Sequence, residues 1–261
     1  MTGERFNRPH DRHHIVHKRY GPDPRLGFIS LLHGDEGGVV KPLSRGLNFA
    51  VMKDPLGFPD HIAIFKANPP AANLGHRKFM GKDLNREFKK KGGSWQKKEI
   101  LEIFSSYPDI EYLFSFHEET DKKAYQKVDG KIVISDRNKN AFYMYDAYDP
   151  KKENISISEF LGPLRRALID SRFSLYDGFD DYKKFRKENV QLNKVKQGYC
   201  LQTADSEKFI DGTLENWVVA QGMKRSFTFE IPAHISEERK QLMMQIIFQT
   251  FIIPFLNRVY Q

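Results

Sequence analysis

The feature that most constrains the fold of this chain is a set of short, apolar, β-prone runs separated by segments with helical spacing. Four runs stand out: RLGFISLL (25–32), HIAIFKAN (61–68), EYLFSF (111–116) and RSFTFEI (225–231). The segments with helical spacing are residues 36–52, 96–107 and 157–173 and the stretch after Ser236. Parallel strands need crossover connections, which helices usually supply. The alternation therefore predicts an α/β fold with a mixed, largely parallel twisted sheet and helices on both faces.

The length of the chain allows one large α/β domain or two small ones. The chain has 261 residues, of which 39% are hydrophobic and 13% aromatic, enough to bury a sizeable core. The sequence shows no internal repeat and no clear linker. We therefore predict a single domain over residues 1–261, with residues 1–24 as a peripheral N-terminal segment.

Charge, cysteine content and hydropathy indicate which cellular compartment and which binding partners the sequence favours. The net charge of +8 is attributed to solvated lysines on helix faces rather than to a nucleic-acid interface. Cys200 is the only cysteine, which excludes an internal disulfide and a cysteine-based zinc cluster and fits a reducing compartment. The N-terminal residues lack the apolar core of a signal peptide. We expect a cytoplasmic protein with no nucleic-acid partner, in an oligomeric state that the sequence leaves open.

The longest apolar stretch of the chain, residues 246–256, bears on membrane association. It is too short to span a bilayer and it contains Pro254. We therefore predict a buried amphipathic helix that ends near Pro254, and no association of the protein with a membrane.

Ionisable side chains lie where three of the predicted strands end. His33 follows the first run, His117 follows the third, and Glu230 lies near the end of the fourth. In open α/β sheets, ligands bind outside the carboxyl ends of the strands. We therefore expect these three side chains to share one cleft.

The stretch LLHGDEGG (31–38) places Glu36 three residues after His33 and has two interpretations. It can be an ordinary polar turn between a strand and a helix, or half of a metal site. A catalytic zinc site has three protein ligands and an open position, and His33, Glu36 and His117 would form such a set. A separate carboxylate must then accept and return a proton, and Glu230, in an otherwise apolar strand, is the candidate.

Two further stretches favour the metal site: NPPAANLGHRKFMGKDLNREF (68–88) and GTLENWVVAQGMKRSFTFEIP (212–232). Together with HGDE they resemble the zinc metallocarboxypeptidase family and its deacylating relatives, the succinylglutamate desuccinylase and aspartoacylase group. The family's motifs are matched, in the family's order, by His33 and Glu36, by Asn85 and Arg86 in DLNREF, by His117 and by Glu230. The interval between the two histidines is similar to that of compact bacterial murein-peptide amidases.

The resemblance implies Zn²⁺ as the cofactor and also implies how a substrate would be held. Asn85 and Arg86 would bind a substrate carboxylate, because a guanidinium group places two donors on a carboxylate and fixes its orientation. Arg77 matches an arginine that polarises the scissile carbonyl and stabilises the oxyanion. A one-residue shift would align Lys78 with that arginine instead.

Two further parts of the match concern substrate specificity and the family's mobile tyrosine. Counting back without gaps from Glu230 places Glu215 where the family contacts the substrate's terminal side chain. An acidic residue there predicts a basic terminal residue, such as Lys or diaminopimelate. The family's tyrosine has no counterpart in SEKFIDG (206–212), and Tyr199 is the nearest alternative.

Two acidic residues, Glu118 and Glu119, follow His117, where relatives have small or hydroxyl residues. They can orient a ligand or meet a cationic group of the substrate. They can equally be solvated acids at the start of a loop, and the sequence does not decide between these roles.

Three functions follow from the resemblance and the residues. The first is a zinc-dependent hydrolase that cleaves a peptide or amide bond next to a free carboxylate, which the SFTFEIP segment favours. The second is an N-acyl amino acid deacylase, which the NPPA run followed by DLNR favours. Both would act on a small substrate with a free carboxylate. The third is a basic binding protein without activity, against which the complete ligand and base positions argue.

Overall fold

The computed structural model describes residues 15–54, 58–78, 80, 82–88, 91–119, 123–128, 131–138, 141–179, 194–203 and 213–260. The strands in these ranges are β1 (Val16–Tyr20), β2 (Leu26–Ser30), β3 (His61–Lys66), β4 (Tyr112–Glu119), β5 (Lys123–Val128), β6 (Lys131–Asn138), β7 (Tyr143–Tyr148), β8 (Gly178–Phe179), β9 (Lys194–Val195), β10 (Tyr199–Thr203) and β11 (Arg225–Pro232). The α-helices are α1 (Val40–Lys53), α2 (Pro69–Leu74), α3 (Trp95–Ser105), α4 (Ser158–Asp170), α5 (Leu214–Gln221), α6 (Glu237–Ile247) and α7 (Ile253–Tyr260).

The central sheet has seven strands in the order β1-β3-β2-β4-β11-β7-β10. Its four middle strands, β3, β2, β4 and β11, run parallel to one another. Strand β1 is antiparallel to β3 at one edge, and β7 is antiparallel to β11. Strands β6, β5, β8 and β9 form a second, smaller sheet. The prediction of a single α/β domain on a mixed, largely parallel sheet is confirmed.

Each face of the central sheet carries its own layer of helices. On one face, Phe114 stacks on Phe227 and Phe116 stacks on Phe229, with ring centroids 5.5 and 5.0 Å apart, under α1, α4, α6 and α7. On the other face, Ile29, Ile64 and Leu113 pack against α3 and α5. Because side chains alternate along a strand, each strand contributes to both cores.

The C-terminal helical run, Glu237–Tyr260, forms one side of the larger core. Ser236 caps it, as its side chain accepts a hydrogen bond from the Arg239 N–H. The sequence predicted that the helix ends near Pro254, but the helical run continues past that residue. A π-helical turn at Phe248–Ile252 precedes α7, and Pro254 then occupies the first turn of α7, where its missing N–H is tolerated.

By length and hydropathy the same run could cross a membrane, and half of its most apolar 18-residue window is buried inside the protein. The buried residues include Phe248, Phe251 and Phe255, which are 0% exposed and belong to the core above the sheet. Packing of this kind is that of a core helix in a globular domain.

The N-terminal segment differs from the expectation for residues 1–24. Residues Val16–Tyr20 form strand β1, which belongs to the central sheet and lies at its edge beside β3. Tyr20 stacks on His61 of β3, with ring centroids 4.4 Å apart. Residues 1–14 lie outside the described residues.

Candidate metal centre

The first two predicted ligands lie on the turn that leaves strand β2. Leu31 has a φ of 61° and begins the turn. At Gly34, a Cβ atom would lie 2.2 Å from the backbone carbon of Ala71, so the close approach of two backbones requires glycine there. His33 and Glu36 follow in this turn and are 3% and 1% exposed. The residue types of LLHGDEGG thus produce a tight turn that buries both side chains.

The third predicted ligand, His117, comes from the neighbouring strand. Strand β4 extends to Glu119, so His117 lies in the strand near its C-terminal end, as predicted. Its Nδ1 is 2.9 Å from Glu36 Oε2, and His33 Nδ1 is 2.6 Å from Glu36 Oε1. One nitrogen or oxygen atom from each residue lies within 4.8 Å of the other two. The structure therefore brings His33, Glu36 and His117 together, as the sequence predicted.

A carboxylate lies behind each histidine. His33 Nε2 is 3.0 Å from Asp83 Oδ1, and His117 Nε2 is 3.0 Å from Glu215 Oε1. Ser115 donates a hydrogen bond to the same Glu215 oxygen at 2.6 Å. In metal sites such partners fix the ring orientation and the tautomer and leave the other ring nitrogen for the ion. Here both Nε2 atoms are engaged, and both Nδ1 atoms face Glu36.

On each of these groups, burial and the nearby charged partners act on the pKa in opposite directions. Burial alone would raise the pKa of Glu36, but His33 and His117 hold it well below its usual value. Burial alone would lower the pKa of His117, and Glu36 and Glu215 raise it well above the usual value. Burial likewise opposes ionisation of Glu215, and the hydrogen bonds from His117 and Ser115 lower its pKa to about 2.

The donor set fits a divalent metal ion. Two imidazole nitrogens and one carboxylate oxygen converge, and each imidazole is oriented from behind by a carboxylate. The centre contains three carboxylates, Glu36, Asp83 and Glu215, and two histidines. Metal ligation requires neutral imidazoles. With both histidines neutral, the three carboxylates have Arg77 as a cation in contact, and a divalent ion would balance the remaining charge.

The predicted base lies beside the third ligand. Glu230 is the register partner of His117 in the parallel pair β11 and β4, so the two side chains share one face of the sheet. Glu230 is partly exposed, unlike the three ligand residues. Its negative charge contributes to the raised pKa of His117. A carboxylate at this position can accept a proton at the edge of the metal centre.

Arg77 also reaches the centre. Its Nη1 donates a long hydrogen bond of 3.5 Å to Glu36 Oε1, and its side chain is 44% exposed. Burial would lower the pKa of Arg77, whereas Glu36, Asp83 and Glu230 raise it. The structure thus provides a direct contact between Arg77 and the metal centre.

Asn85 and Arg86 lie on a short 3-10 helix, Leu84–Arg86, whose start is capped by Asp83. Asn85 Oδ1 accepts a hydrogen bond from the Leu214 N–H at 2.8 Å, which attaches this segment to the start of α5. Arg86 Nη1 donates to the Asn85 carbonyl at 2.7 Å, and its side chain is half-buried. Because Asp83 also contacts His33, the Asn-Arg pair is held at the metal centre.

Two sequence-based assignments are corrected by the structure. Glu215 is 4% exposed, and its carboxylate lies against His117 and Ser115 rather than where a substrate side chain could enter. The helical phase of α5 turns it toward the sheet. The hydroxyl of Tyr199 donates to Asp146 at 2.9 Å, away from the metal centre. The basis for a basic terminal residue in the substrate is thereby removed.

One tyrosine beside the base is a residue that the sequence did not single out. Tyr143 is the register partner of Glu230 across the antiparallel pair β7 and β11. Its hydroxyl donates to Glu119, which lies near the end of β4 on the other side of β11. The hydrogen bond therefore crosses the strand that carries Glu230. The only sequence signal was an aromatic residue in a β-prone run, which is not specific.

Glu118 and Glu119 are not solvated acids. They are 4% and 8% exposed, and strand β4 includes both. Glu119 accepts from Tyr143 on the face of the metal centre, and Glu118 accepts from Lys240 of α6 on the other face. Alternation along the strand separates their roles.

Comparisons with known proteins place the fold. No protein-family model and no curated protein matches the sequence. A "putative metallopeptidase" of Shewanella denitrificans superposes with a TM-score of 0.65 at 19% identity, covering 97% of this chain and 83% of that one. A metallo-carboxypeptidase of Burkholderia cenocepacia gives 0.53 at 15% identity, covering 95% and 62%. The tripeptide-bound cell shape determinant Csd4 of Helicobacter pylori gives 0.53 at 13%, covering 91% and 55%.

The chain thus has the zinc carboxypeptidase-like fold, which the motifs had predicted. These structural neighbours bear the names putative metallopeptidase, metallo-carboxypeptidase and cell shape determinant, and this chain carries a group of His and Glu residues that could hold a metal ion.

Proposed function

We propose that this protein is a zinc-dependent hydrolase that cleaves a peptide or amide bond next to a free carboxylate. The observation that carries the proposal is the convergence of His33, Glu36 and His117 at one edge of the sheet, with Glu230 in register beside His117. A metal-binding set and a separate carboxylate are the two parts that metal-dependent hydrolysis needs.

The donor set favours zinc over harder cations. Imidazole nitrogens with one carboxylate suit zinc, whereas magnesium and calcium prefer oxygen ligands alone. His33, Glu36 and His117 would hold the ion, with Asp83 and Glu215 fixing the two imidazoles. Zinc bound there would act as a Lewis acid and make water acidic enough to ionise near neutral pH.

The other residues around the centre have separate roles in the proposed reaction. Glu230 takes a proton from the attacking water and returns one to the leaving amine. Arg77, next to Glu36, is placed to stabilise negative charge that develops on the scissile carbonyl oxygen. Arg86 and Asn85 bind the free carboxylate of the substrate and so set which bond is cut.

A peptide is the favoured substrate class. Structural neighbours include a protein crystallised with a tripeptide and with its product, which supports a peptide for this chain by analogy. The deacylase alternative keeps the same metal and the same base, and it differs in the acyl group that is removed. A cytoplasmic location remains part of the proposal.

A substrate panel tests the proposal. Short peptides with a free C-terminal carboxylate, the same peptides with a C-terminal amide, N-acetyl-aspartate and N-succinyl-glutamate are incubated with the zinc-loaded protein. We expect turnover of the free-carboxylate peptides and little of the amides, because Arg86 needs a carboxylate. Preference for the N-acyl amino acids would instead assign the deacylase function.

Three controls separate the parts of the mechanism. Removal of the metal with a chelator should abolish turnover, and added zinc should restore it. Glu230→Gln should lower kcat by about 10²–10⁴-fold while zinc affinity stays near that of the wild type. Arg86→Lys keeps the positive charge but loses the bidentate contact with the substrate carboxylate. It should therefore raise KM more than it lowers kcat. Turnover that survives both chelation and Glu230→Gln would contradict the mechanism.

A further inference from the structure

Strand β4 continues beyond His117, and its next residue, Glu118, points to the opposite face of the sheet. Glu118 shares that face with Phe114 and Phe116 and lies against α6. It is 4% exposed, and its partner Lys240 is 8% exposed. A charged pair buried behind the metal centre has no role in the mechanism described above.

The two carboxylate oxygens of Glu118 have different partners. Oε1 accepts a hydrogen bond from the Lys240 ammonium group, and Oε2 accepts one from the backbone N–H of Gly38 at 2.6 Å. Gly38 lies two residues after Glu36, in the 3-10 turn Gly37–Val39. Glu118 therefore connects α6 to the backbone that carries a metal ligand.

This contact supplies an acceptor that the turn lacks within itself. The first N–H groups of a helix have no partner inside the helix and are usually capped by the side chain of the preceding residue. Here the preceding residue is Glu36, whose side chain makes no capping hydrogen bond because it faces His33 and His117. Glu118 provides the carboxylate from a neighbouring strand instead.

The fit at Gly38 shows how close this contact is. A Cβ atom on Gly38 would lie 2.5 Å from Glu118 Oε1 and 2.5 Å from Lys240 Nζ. A Cβ atom on the adjacent Gly37 would meet nothing within 4 Å. A side chain added at Gly38 would therefore contact the buried pair, whereas one added at Gly37 would not.

We propose that Glu118 is a positioning residue for the metal centre. Its carboxylate, held by Lys240, fixes the backbone at Gly38 and thereby orients the Glu36 side chain between His33 and His117. The inference rests on the proposed function, because it assumes that Glu36 binds a metal ion. Interactions that orient metal ligands typically contribute about 10–100-fold to metal affinity.

The first test compares Gly38→Ala with Gly37→Ala. Zinc affinity is measured by competition with a chromogenic chelator, and the thermal unfolding of the metal-free protein is recorded alongside. We expect Gly38→Ala to weaken zinc binding by about 10–100-fold and Gly37→Ala to change it by less than about threefold. Equal zinc affinities for the two variants would overturn the proposal, even if Gly38→Ala lowers the unfolding temperature.

The second test removes only the acceptor. The double variants Glu118→Gln/Lys240→Met and Glu118→Leu/Lys240→Met both eliminate the buried charges, so neither leaves one ion unpaired. Glutamine keeps an oxygen for the Gly38 N–H, and leucine does not. We expect zinc affinity near that of the wild type for the glutamine variant and a loss of about 10–100-fold for the leucine variant.

Amide hydrogen exchange in the metal-free protein separates this inference from the proposed function. The Gly38 amide should exchange faster in the leucine variant than in the glutamine variant, whether or not zinc binds. If the wild type binds no zinc, the proposed function fails and the exchange result still reports on the connection. If the wild type binds zinc and the two double variants have equal affinity, the positioning role is overturned.

Discussion

Two buried ionic networks lie at opposite ends of the central sheet. At the amino end of β11, the Arg225 guanidinium group donates to both oxygens of Asp146, at 2.7 and 3.1 Å, and Tyr199 adds a hydrogen bond to Asp146. At the carboxyl end, Glu36, Asp83 and Glu215 surround two histidines. The first network pairs one cation with one anion. The second has an excess of carboxylates over cations when its two histidines are neutral, as metal ligands are.

The difference indicates what each network is for. A bidentate arginine–carboxylate pair with each ion buried is complete without any ligand. The other network is complete only with a further positive charge, and Arg77, which is 44% exposed, supplies part of it from the rim. Buried carboxylates that the protein itself leaves short of cations are typical of a metal centre, whereas a balanced pair is typical of a structural contact.

The largest expected effect is that of Glu36→Gln. Removing the carboxylate between His33 and His117 should weaken zinc binding and lower kcat/KM by at least about 10³-fold, because one ligand is lost and the charge excess falls. Metal affinity by chelator competition and turnover of a peptide substrate would show it. Glu237→Gln, at a half-exposed surface site, is the control. Retained zinc binding in Glu36→Gln would remove the distinction between the two networks.

Arg225→Met should affect stability and leave metal binding unchanged. It leaves Asp146, which is 0% exposed, without its cation, and such losses cost about 3–5 kcal/mol of the free energy of unfolding. Chemical denaturation measures this change, and zinc affinity is measured on the folded fraction. Arg25→Met breaks an ion pair with Glu111 in which Arg25 is 44% exposed, and it should cost less than about 1 kcal/mol. A weaker zinc site in Arg225→Met would show that the networks are coupled.

His61 is a buried ionisable group that forms no ion pair with the described residues, and it provides a third case. Burial lowers the pKa of His61 from 6.5 to about 4, so the unfolded chain binds the proton more readily. The stability that neutral His61 contributes is therefore fully present above pH 6.5 and is lost as the pH falls toward 4. The total loss in the free energy of unfolding is about 3 kcal/mol. The slope of unfolding free energy against pH should be smaller in His61→Phe, which retains the stacking on Tyr20. Identical slopes would contradict this assignment.

The smallest expected effect within the metal centre is that of Glu215→Gln. The amide oxygen can still accept from His117, so the ring keeps its orientation but loses a charged partner. Zinc affinity should fall by about 10–100-fold, less than in Glu36→Gln. Selectivity between peptides that end in Lys and in Leu should not change, because Glu215 lies behind the ligand. A change in that selectivity would restore the original assignment of Glu215 to the substrate pocket.

The sequence predicted those parts of the molecule that depend on local pattern. Apolar runs are local features, and they predicted the four parallel strands at the middle of the sheet. His33, Glu36 and His117 were assigned as ligands only when the other motifs added the family resemblance. The role of Glu215 depends on which way α5 faces, and it joins residues 98 positions apart. Counting residues from Glu230 fixes a place along the chain but not the direction of a side chain. The pairing of Glu118 with Lys240, 122 positions apart, is beyond local pattern for the same reason.

Strand β4 has a consequence for how faithfully the chain can fold. In its final residues, His117 faces the metal centre and Glu118 faces Lys240, so the two faces make different chemical demands on consecutive positions. A slip of one residue that puts His117 in the place of Glu118 would turn the imidazole into the phenylalanine core and leave Lys240 buried without a counter-ion. A slip in the other direction would bring Glu119 to Lys240 but would still remove His117 from the metal centre. The sequence His117-Glu118-Glu119 therefore disfavours both one-residue misalignments of β4.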